Sequence, residues 1–407
     1  MRILIATSCR NLIGGVEKYL QSVIPSLLER GHSVGLLYEH IFDPDKDTID
    51  PPAAGLPSWC TGETGRETSL LSLAKWNPDV VYSHGLDDPE LETALLERYS
   101  TMFYAHTYWG TCVSGRKSHL FPRPQPCARR LGASCLLLYY PRRCGGLHPG
   151  TMWRMFQEQS RRNSNLGAYQ AVLVASQHMY QELERHGVTK DRLHLVPLPP
   201  PDVAPTLPPP ARNMQGRILF LGRLMDIKGV HYLLESLPGA SQKLGRPLTV
   251  TIAGDGPDRG KLQKLAAQLG VAAEFPGWVS PEQKLNLLRQ SDLLAIPSLW
   301  PEPFGLVGIE AGSFGVPAVG YSVGGIPDWL IPGRSGELAP GQPPTVHGLA
   351  DAIVRALADT GHYRKLCMGA WEVARSFSLE RHLDNLETIL APESPSRAPL
   401  PALSRPN

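Results

Sequence analysis

Short runs of apolar residues alternate with segments of helical periodicity along almost the whole chain. In the first half, the candidate strands lie at residues 3–7, 33–38, 79–84, 101–106 and 171–176. In the second half, they lie at residues 217–222, 248–254, 273–277, 292–298 and 317–321. Most of these runs are apolar throughout, which is typical of parallel strands covered by helices on both faces. The alternation therefore predicts two α/β units in tandem, each doubly wound.

A proline-rich stretch marks the boundary between the two units. Residues 197–210 hold eight prolines in fourteen positions and can form neither a helix nor a central strand. We therefore expect an N-terminal domain at 1–196, a stiff linker at 197–213 and a C-terminal domain at 214–375. A last helix is expected at 376–390.

Three segments depart from the alternation. Pro25 lies within the first helical segment, so a kink or a broken turn is expected there. Residues 110–149 carry four cysteines and five prolines and are predicted to be an insertion in the N-terminal domain. Residues 391–407 are rich in Pro and Ser and are expected to form a disordered tail.

Composition and charge narrow the class of protein. The chain has 407 residues, of which 42% are hydrophobic and 19% charged, as expected for a globular protein with a substantial core. The net charge of +2 argues against a nucleic-acid partner. No apolar run is long enough to span a bilayer, and the apolar N-terminal run is too short for a signal peptide. We therefore expect a cytoplasmic protein with reduced thiols.

The second half carries polar motifs directly after its predicted strands, where open α/β sheets bind ligands. In LGRLMDIKGV, Arg223 and Lys228 place two cations beside backbone N–H groups, which suits a diphosphate. A solvated basic loop is the alternative interpretation. The glycine pairs of AGDGP and of YSVGGIPDWL are expected to let the backbone approach a ligand closely, although plain turns are the alternative.

The stretch at residues 297–319 is the most informative. Glu302 and Glu310 are separated by seven residues, and Phe304, Gly305 and Leu306 lie between them at the start of a predicted helix. The unpaired N–H groups of a helix start can bind an anion. Glu310 lies in an apolar helix, so its carboxylate needs a partner, such as the paired hydroxyls of a ribose. Two solvated carboxylates are the alternative.

Taken together, R-x4-K, GDGP, E-x7-E within PSxxxEPFG, and VGGIPD resemble the motifs of the retaining glycosyltransferases of family 4. The segment GGVEKYL, with Gly14 and Gly15, is also similar to that family. The resemblance covers about residues 1–390 and is strongest from 215 to 335. It implies the GT-B fold, in which two Rossmann-like domains face each other across a cleft that holds a nucleotide sugar. It also implies a C-terminal helix that crosses back to the first domain, and catalysis that requires no metal cofactor.

The resemblance assigns roles to individual residues. Arg223 and Lys228 would bind the donor diphosphate and stabilise its departing charge. Glu310 would hold the ribose, Glu302 would contact the transferred sugar, and Val279 would lie beside the base. The donor-binding residues implied in this way are Gly14, Gly15, Arg223, Lys228, Val279, Glu302, Phe304, Gly305, Leu306 and Glu310.

His106, at the end of TMFYAH, takes the position of a functional histidine of that family. The resemblance implies that it hydrogen-bonds the sugar and does not act as a nucleophile; His84, after DVVYSH, is a weaker candidate. The implied catalytic residues are thus His106, Glu302, Arg223 and Lys228. The implied activity is that of a hexosyltransferase, with attack by the acceptor on the face that the diphosphate leaves. A covalent double displacement stays open. So do a nucleotide-sugar epimerase and a non-catalytic sugar-nucleotide-binding relative.

Four cysteines of the insertion, Cys112, Cys127, Cys135 and Cys144, lack any CxxC pair. They are consistent with three arrangements, a structural zinc site, disulfides or separate thiols.

The insertion and the region after it are also rich in arginine. The arginines concerned are Arg129, Arg130, Arg142, Arg143, Arg161 and Arg162. They predict an anionic acceptor, such as a lipid-linked glycan, or a peripheral position at the inner face of a membrane. A solvated face is the alternative, and an uncharged glycan or small molecule also stays open as the acceptor.

Overall fold

The structure is a computed structural model. It describes residues 1–12, 14–43, 47–49, 55–200, 208 and 214–390. Most of the expected linker at 197–213 and all of the expected tail at 391–407 lie outside the described residues.

The first sheet has seven parallel strands. They are Arg2–Cys9 (β1), Ser33–His40 (β2), Ser58–Cys60 (β3), Val80–Ser83 (β4), Thr101–Tyr104 (β5), Ala171–Val174 (β8) and Leu193–Leu195 (β9). Their order in the sheet is β3-β2-β1-β4-β5-β8-β9. A separate antiparallel pair, Ser118–His119 (β6) and Gln125–Pro126 (β7), lies within the expected insertion.

The second sheet has six parallel strands. They are Arg217–Leu221 (β10), Thr249–Ala253 (β11), Ala272–Gly277 (β12), Leu293–Ile296 (β13), Ala318–Tyr321 (β14) and Gly336–Ala339 (β15). Their order is β12-β11-β10-β13-β14-β15, so both sheets have the doubly wound arrangement predicted from the apolar runs. The two-domain α/β prediction is confirmed. The short edge strands β3 and β9 and the strand β15 were not predicted.

Helices connect the strands of each sheet. In the first half they are Gly15–Glu29 (α1), Thr61–Thr64 (α2), Arg66–Trp76 (α3), Pro89–Arg98 (α4), Ala133–Leu138 (α5), Pro149–Asn165 (α6) and Gln177–Arg185 (α7). In the second half they are Val230–Leu244 (α8), Arg259–Gln268 (α9), Pro281–Gln290 (α10), Leu306–Ser313 (α11), Val346–Leu357 (α12), Thr360–Arg375 (α13) and Leu379–Leu390 (α14).

Alternate residues of β1 show how the helices cover both faces of the first sheet. Ile3 and Ile5 belong to the apolar cluster that includes the buried face of α1, whereas Leu4 and Ala6 pack with residues of α3 and α4. All four side chains are inaccessible to solvent, which explains why the strand is apolar throughout. Within the described residues, no helix has the length and apolar character needed to cross a membrane.

The expected break at Pro25 does not occur, because α1 continues through this residue. Proline removes one N–H donor and leaves the carbonyl of Gln21 without its helical partner. Gln21 is exposed, so water can hydrogen-bond that carbonyl. The apolar face of α1, with Leu20, Val23 and Leu27 fully buried, stabilises the helix on both sides of the proline.

The last helix, α14, follows the C-terminal domain in sequence but packs on the N-terminal domain. Arg30, just after α1, pairs with Asp384 and Glu387 of α14 at 2.8 Å each. His32 lies 2.8 Å from Glu387 as well. The buried residues Leu383, Leu386 and Leu390 belong to the same apolar cluster as the buried face of α1.

His382 of α14 ends a buried chain of hydrogen bonds. Its Nδ1 lies 2.8 Å from the carbonyl oxygen of Pro197, which can only accept, so this nitrogen carries the proton. Its Nε2 therefore accepts from the Tyr19 hydroxyl at 2.7 Å, and the Tyr82 hydroxyl lies 2.8 Å from that of Tyr19. Burial lowers the pKa of His382 from 6.5 to about 4, so the ring stays neutral at neutral pH.

The insertion is fastened to α7 by a buried ion pair. Lys117, of which 1% is exposed, pairs with the equally buried Glu182 of α7. The Lys117 ammonium also donates to the carbonyls of Thr111 at 3.2 Å and Arg129 at 2.6 Å, so three oxygens surround it. A buried charge is tolerated when it is paired and hydrogen-bonded in this way.

Replacing His382 by Gln should change how stability depends on pH. Below pH 6.5 the unfolded chain protonates this imidazole, whereas the folded protein keeps it neutral until about pH 4. The wild type should therefore lose about 2 kcal/mol more than His382→Gln when the pH falls from 7.5 to 5. Urea unfolding of both proteins at the two pH values measures this difference. Equal losses would contradict the assignment of a neutral, buried His382.

Candidate active site

The candidate residues gather where each sheet reverses its strand order. In the first sheet this point lies between β1 and β4, and in the second between β10 and β13. Loops on the two sides of such a point diverge, which leaves a crevice beyond the carboxyl ends of the strands. Arg223 and Lys228 follow β10, Glu302 follows β13, and Gly14 and Gly15 follow β1. His106 follows the neighbouring strand, β5.

Lys228 and Glu302 form an ion pair between the two loops of the second crevice. The Lys228 Nζ lies 2.7 Å from Glu302 Oε1, and the Ser298 hydroxyl donates to the same oxygen at 2.6 Å. The side chains are 24% and 10% exposed, respectively. Burial alone would raise the pKa of Glu302, but Lys228 and Ser298 outweigh it, and the pKa lies below its ordinary value. Glu302 is therefore ionised at neutral pH.

The segment Pro301–Pro303 accepts two hydrogen bonds from the N-terminal domain. The Tyr108 hydroxyl donates to the Pro301 carbonyl at 2.6 Å, and the Ser176 hydroxyl donates to the Pro303 carbonyl at 2.5 Å. Tyr108 is two residues after His106 in sequence. The loop that carries Glu302 therefore lies against the segment that carries His106, and the two domains meet at this point.

The glycine pairs serve packing between loops. Gly324 has φ +58°, and a Cβ atom there would lie 2.2 Å from the Glu302 carbonyl oxygen. Gly254 has φ +139°, and a Cβ atom there would lie 1.9 Å from the carbonyl oxygen of Gly222. At these two glycines the close approach is to backbone of the same domain, whereas a Cβ atom at Gly325 would also lie 2.6 Å from the Ser176 side chain of the N-terminal domain. Through Gly324 the close approach fixes the loop of Glu302.

His106 is paired with His84. The His106 Nε2 lies 2.9 Å from the His84 Nδ1. The Nε2 of His84 is buried with no hydrogen-bond partner among the described residues. A buried nitrogen without a partner is tolerated better as a lone pair than as an N–H group. We therefore place the proton of His84 on Nδ1, which donates to His106. His106 then carries its own proton on Nδ1.

The pKa of His106 is lowered to about 3, mainly because the ring is buried. The ring is therefore neutral at neutral pH and offers an N–H donor without a positive charge. This state suits hydrogen bonding to a sugar hydroxyl, the role that the resemblance implies.

Glu310 has a partner that the sequence did not reveal. The Lys284 Nζ, on α10, lies 3.2 Å from Glu310 Oε2 on α11. Both side chains are largely buried, with 14% and 12% exposed. The need for a partner was predicted from the apolar helix, but Lys284 lies 26 residues away in sequence and no motif joins the two.

The start of α11 offers backbone donors near these carboxylates. Gly305 is its N-cap with φ +85°, and the Phe304 carbonyl accepts from the Trp329 indole at 2.7 Å. Within the described residues, the N–H groups of Leu306 and Val307 have no hydrogen-bond acceptor. They remain available to an anion, as expected for a helix start.

The remaining candidates differ in accessibility. Arg223 is exposed, and its guanidinium makes no hydrogen bond or ion pair within the described part of the chain. Val279 is half-buried beside Trp278, of which 70% is exposed. The Gly14 N–H is already bonded to the Glu17 carboxylate at 2.7 Å, whereas Gly15 is exposed.

The four cysteines of the insertion are free thiols and are half-buried. The pKa of Cys144 is raised to about 11, first by burial and then by the nearby thiols of residues 112, 127 and 135. Within the described ranges, however, no three Cys, His, Asp or Glu side chains are arranged to hold a metal ion. A structural zinc site thus stays a hypothesis, and metal analysis of the purified protein tests it. The buried pair of Lys117 and Glu182 also fastens the insertion.

Of the six arginines expected on the basic face, Arg142, Arg161 and Arg162 form hydrogen bonds or ion pairs within the protein; Arg142 donates to His119 at 2.9 Å. Arg162 is buried, stacks over Trp109 at 4.2 Å and donates to the Asp87 carbonyl at 2.9 Å. Arg161 lies 3.4 Å from Glu90. The charge exposed to a partner therefore comes mainly from the insertion. Helix periodicity could not show this, because the contacts of these arginines come from other elements.

Two family models match adjacent parts of the chain. The model described as glycosyl transferases group 1 matches residues 208–370, and the model described as Glycosyltransferase Family 4 matches residues 13–199. The chain belongs to the group 1, family 4-type glycosyltransferases. The family predicted from the motifs is confirmed.

Curated relatives are similar in sequence to a part of the chain. An uncharacterized glycosyltransferase of Methanocaldococcus jannaschii is 36% identical over 35% of this chain and 36% of its own. A D-inositol 3-phosphate glycosyltransferase of Nocardia farcinica is 32% identical over 49% of this chain and 47% of its own. A glycogen synthase of Mycobacterium tuberculosis is 35% identical over 36% of this chain and 35% of its own. The chain thus spans a third to a half of the length of these relatives.

Solved glycosyltransferase structures share the fold over almost the whole chain. A sucrose-phosphate synthase from Thermosynechococcus elongatus superposes with a TM-score of 0.68 at 19% identity, covering 95% of this chain and 98% of its own. A lipopolysaccharide outer core galactosyltransferase, WaaB, gives 0.65 at 16% identity, covering 96% and 99%. An Anabaena protein, HepE, in complex with UDP-glucose gives 0.62 at 18% identity, covering 96% and 99%. These likenesses confirm the GT-B fold.

Replacing Lys228 by Met should destabilise the glycosyltransferase through Glu302. The carboxylate would stay buried without its cation, which should lower the free energy of unfolding by about 2–3 kcal/mol. Adding Glu302→Gln to this variant should recover part of the loss, since it removes the unpaired charge. Urea unfolding measures both changes.

Lys261→Met is the matched control. Lys261 is 84% exposed and pairs with Asp258 at the surface, so its replacement should change stability by less than about 0.5 kcal/mol. A Lys228→Met variant as stable as this control would show that the Lys228–Glu302 pair does not stabilise the loops.

Proposed function

We propose that this glycosyltransferase transfers a hexosyl group from a nucleotide-sugar donor to an acceptor hydroxyl with retention of the anomeric configuration. The observation that supports this most strongly is the meeting of two crevices. The Lys228–Glu302 pair of one domain lies against the segment of the other that carries His106 and Tyr108. A sugar bound between the two crevices would contact the Lys228 ammonium, the Glu302 carboxylate and the neutral His106 imidazole.

Arg223 and Lys228 are proposed to bind the donor diphosphate. Arg223 is exposed and without a partner in the described residues, so its guanidinium is available to a bidentate phosphate contact. The unpaired N–H groups at the start of α11 would add uncharged donors. Both cations would stabilise the negative charge that develops on the leaving diphosphate. We expect these groups to suffice for catalysis without a metal cofactor.

The proposed reaction proceeds on one face of the sugar. The bond between the anomeric carbon and the diphosphate oxygen breaks while the acceptor oxygen forms its bond to that carbon. The acceptor proton moves to the departing phosphate. Glu302 Oε1 is already engaged by Lys228 and Ser298, which favours a role in orienting sugar hydroxyls over that of a nucleophile. Glu310, held by Lys284, is proposed to bind the ribose.

The neighbouring structures supply a first donor to test. The Anabaena protein has been solved with UDP and with UDP-glucose, so a uridine diphosphate sugar is a reasonable starting point for this chain. We propose a glycan or a lipid-linked glycan as the acceptor. The arginines that remain exposed on the insertion support an anionic one.

Incubation with a panel of nucleotide sugars and glycan acceptors should yield transfer, with UDP-glucose tested first. NMR of the product should show the same anomeric configuration as in the donor. An inverted product would exclude the same-face mechanism. An epimerised sugar nucleotide without transfer to any acceptor would instead support the epimerase alternative.

Arg223→Gln tests the diphosphate site in the same assay. It should lower kcat/KM by about 100-fold without changing the thermal midpoint, because Arg223 is exposed and unpaired in the described part of the chain. Arg364→Gln, at an exposed position of α13, should leave kcat/KM unchanged. Equal activity of the two variants would argue against the proposed role of Arg223.

We also propose that the protein associates peripherally with an anionic membrane at the inner face. The insertion and the start of α6 expose Leu137, Leu147 and Trp153, of which 79%, 83% and 51% are accessible. Arg130 and Arg143 are exposed in the same region. Exposed apolar side chains beside cations are the combination that binds the surface of an anionic bilayer.

Binding to vesicles of phosphatidylglycerol and phosphatidylcholine should weaken as salt is added. Leu137→Ser should weaken it by about tenfold, from the loss of one buried leucine. Leu71→Ser, which removes a leucine 70% exposed on α3, is the matched control and should have no effect. Cosedimentation measures binding, and salt-independent binding would argue against the proposal.

A further inference from the structure

A cavity lies between the insertion and the C-terminal domain. Its volume is about 330 Å³, at the lower end of the range for small-ligand sites. The insertion lines it from β6, from β7 and the residues after it, and from Arg142. The C-terminal domain contributes Gln342. The polar or charged side chains that line it are His119, Gln125, Arg129, Arg142 and Gln342.

His119 is a buried residue that orients Arg142 at the wall of the cavity. Only 2% of this residue is exposed, and its Nδ1 has no hydrogen-bond partner among the described residues. The Arg142 guanidinium lies 2.9 Å from the other ring nitrogen, Nε2. Because a guanidinium can only donate, Nε2 must accept, and the proton of the neutral ring lies on Nδ1. That N–H is enclosed by the protein, and the Phe121 backbone acts on the same ring, so His119 serves the cavity by orienting the Arg142 guanidinium.

The charge of the cavity wall favours an anionic acceptor group. Arg129 and Arg142 line the cavity, and no carboxylate is among its lining residues. Within the described residues, neither guanidinium forms an ion pair with Asp or Glu; Arg142 donates to the neutral His119. Two guanidinium groups match the oxygens of a phosphate or a carboxylate.

Hydrogen bonds to backbone carbonyls fix the two arginines of the cavity wall. The Arg142 carbonyl accepts from the N–H groups of Leu120 at 3.1 Å and Phe121 at 3.2 Å. The Arg129 carbonyl accepts from the buried Lys117 ammonium at 2.6 Å, and Lys117 is paired with Glu182. The backbone positions of both arginines are therefore fixed without a ligand, which reduces the cost of ordering the site on binding.

We propose that this cavity binds an oxyanion, a phosphate or a carboxylate, carried by a sugar of the acceptor. The assignment to the acceptor rests on the proposed transferase function, whereas the oxyanion site itself does not. The volume exceeds that of a single phosphate, so part of a sugar ring enters with the charged group. Gln342 would close the site from the C-terminal domain, so the same ligand contacts both domains.

Isothermal titration of the full-length protein with glucose 6-phosphate, glucuronate and glucose tests the site. At least one of the two anionic sugars should bind with a Kd about tenfold or more below that of glucose. Which of them does so distinguishes phosphate from carboxylate. Arg129→Gln should weaken that binding by about tenfold. Arg129 is exposed, so this variant should fold.

Two arginine variants serve as controls. Arg130→Gln removes the neighbouring exposed charge, which does not line the cavity, and should leave Kd unchanged. Arg223→Gln should also leave it unchanged, which separates this site from the diphosphate site. Equal binding of all three sugars, or equal losses in Arg129→Gln and Arg130→Gln, would overturn the inference. The titration contains no nucleotide-sugar donor, so its result does not depend on whether the transferase assay succeeds.

Discussion

The ammonium group of Lys228 holds the largely buried carboxylate of Glu302 in place, and the shape of the cleft depends on this pair. The pair joins the loops after two adjacent strands, β10 and β13. The backbone around Glu302 is packed from the other side by Gly324 and bonded to the N–H of Gly325 at 2.7 Å. The segment that a sugar would contact is therefore fixed before any ligand arrives, which is the condition for effective electrostatic stabilisation.

The two prolines that flank Glu302 explain why the domains meet there. Proline disfavours helices and central strands, and Pro301 and Pro303 lie in the loop between β13 and α11, where their carbonyls are outside the regular elements. Tyr108 and Ser176 of the N-terminal domain supply the donors. A local property of the sequence, the paired prolines, thus becomes the contact between domains.

Much of the fold could be predicted from the sequence, because buried parallel strands must be apolar on both faces. Continuous runs such as ILIAT and AVLVAS therefore predicted strands, and Lys228 and Glu302, which follow two of the predicted strands, form an ion pair. The short edge strands were missed, because three residues show no periodicity. The glycines were correctly expected to permit a close approach, but the sequence could not tell backbone from ligand.

Partnerships between distant residues could not be predicted. Lys284 pairs with Glu310, Lys117 with Glu182 and His84 with His106 across 26, 65 and 22 residues, respectively. Each partner comes from a different element, and a single sequence contains no signal for which elements become neighbours. The same reason explains why the contacts of Arg161 and Arg162 with Glu90 and Asp87 were not predicted.

The position of α14 has a consequence for how the chain can be divided. The helix is linked to the C-terminal domain in sequence, yet Leu383, Leu386 and Leu390 bury their side chains in the cluster that includes α1. A fragment that ends in the proline-rich segment would expose the apolar surface of α1 and leave the Tyr19 hydroxyl without His382. During synthesis, the N-terminal domain therefore gains this cover only after the whole C-terminal domain has been made.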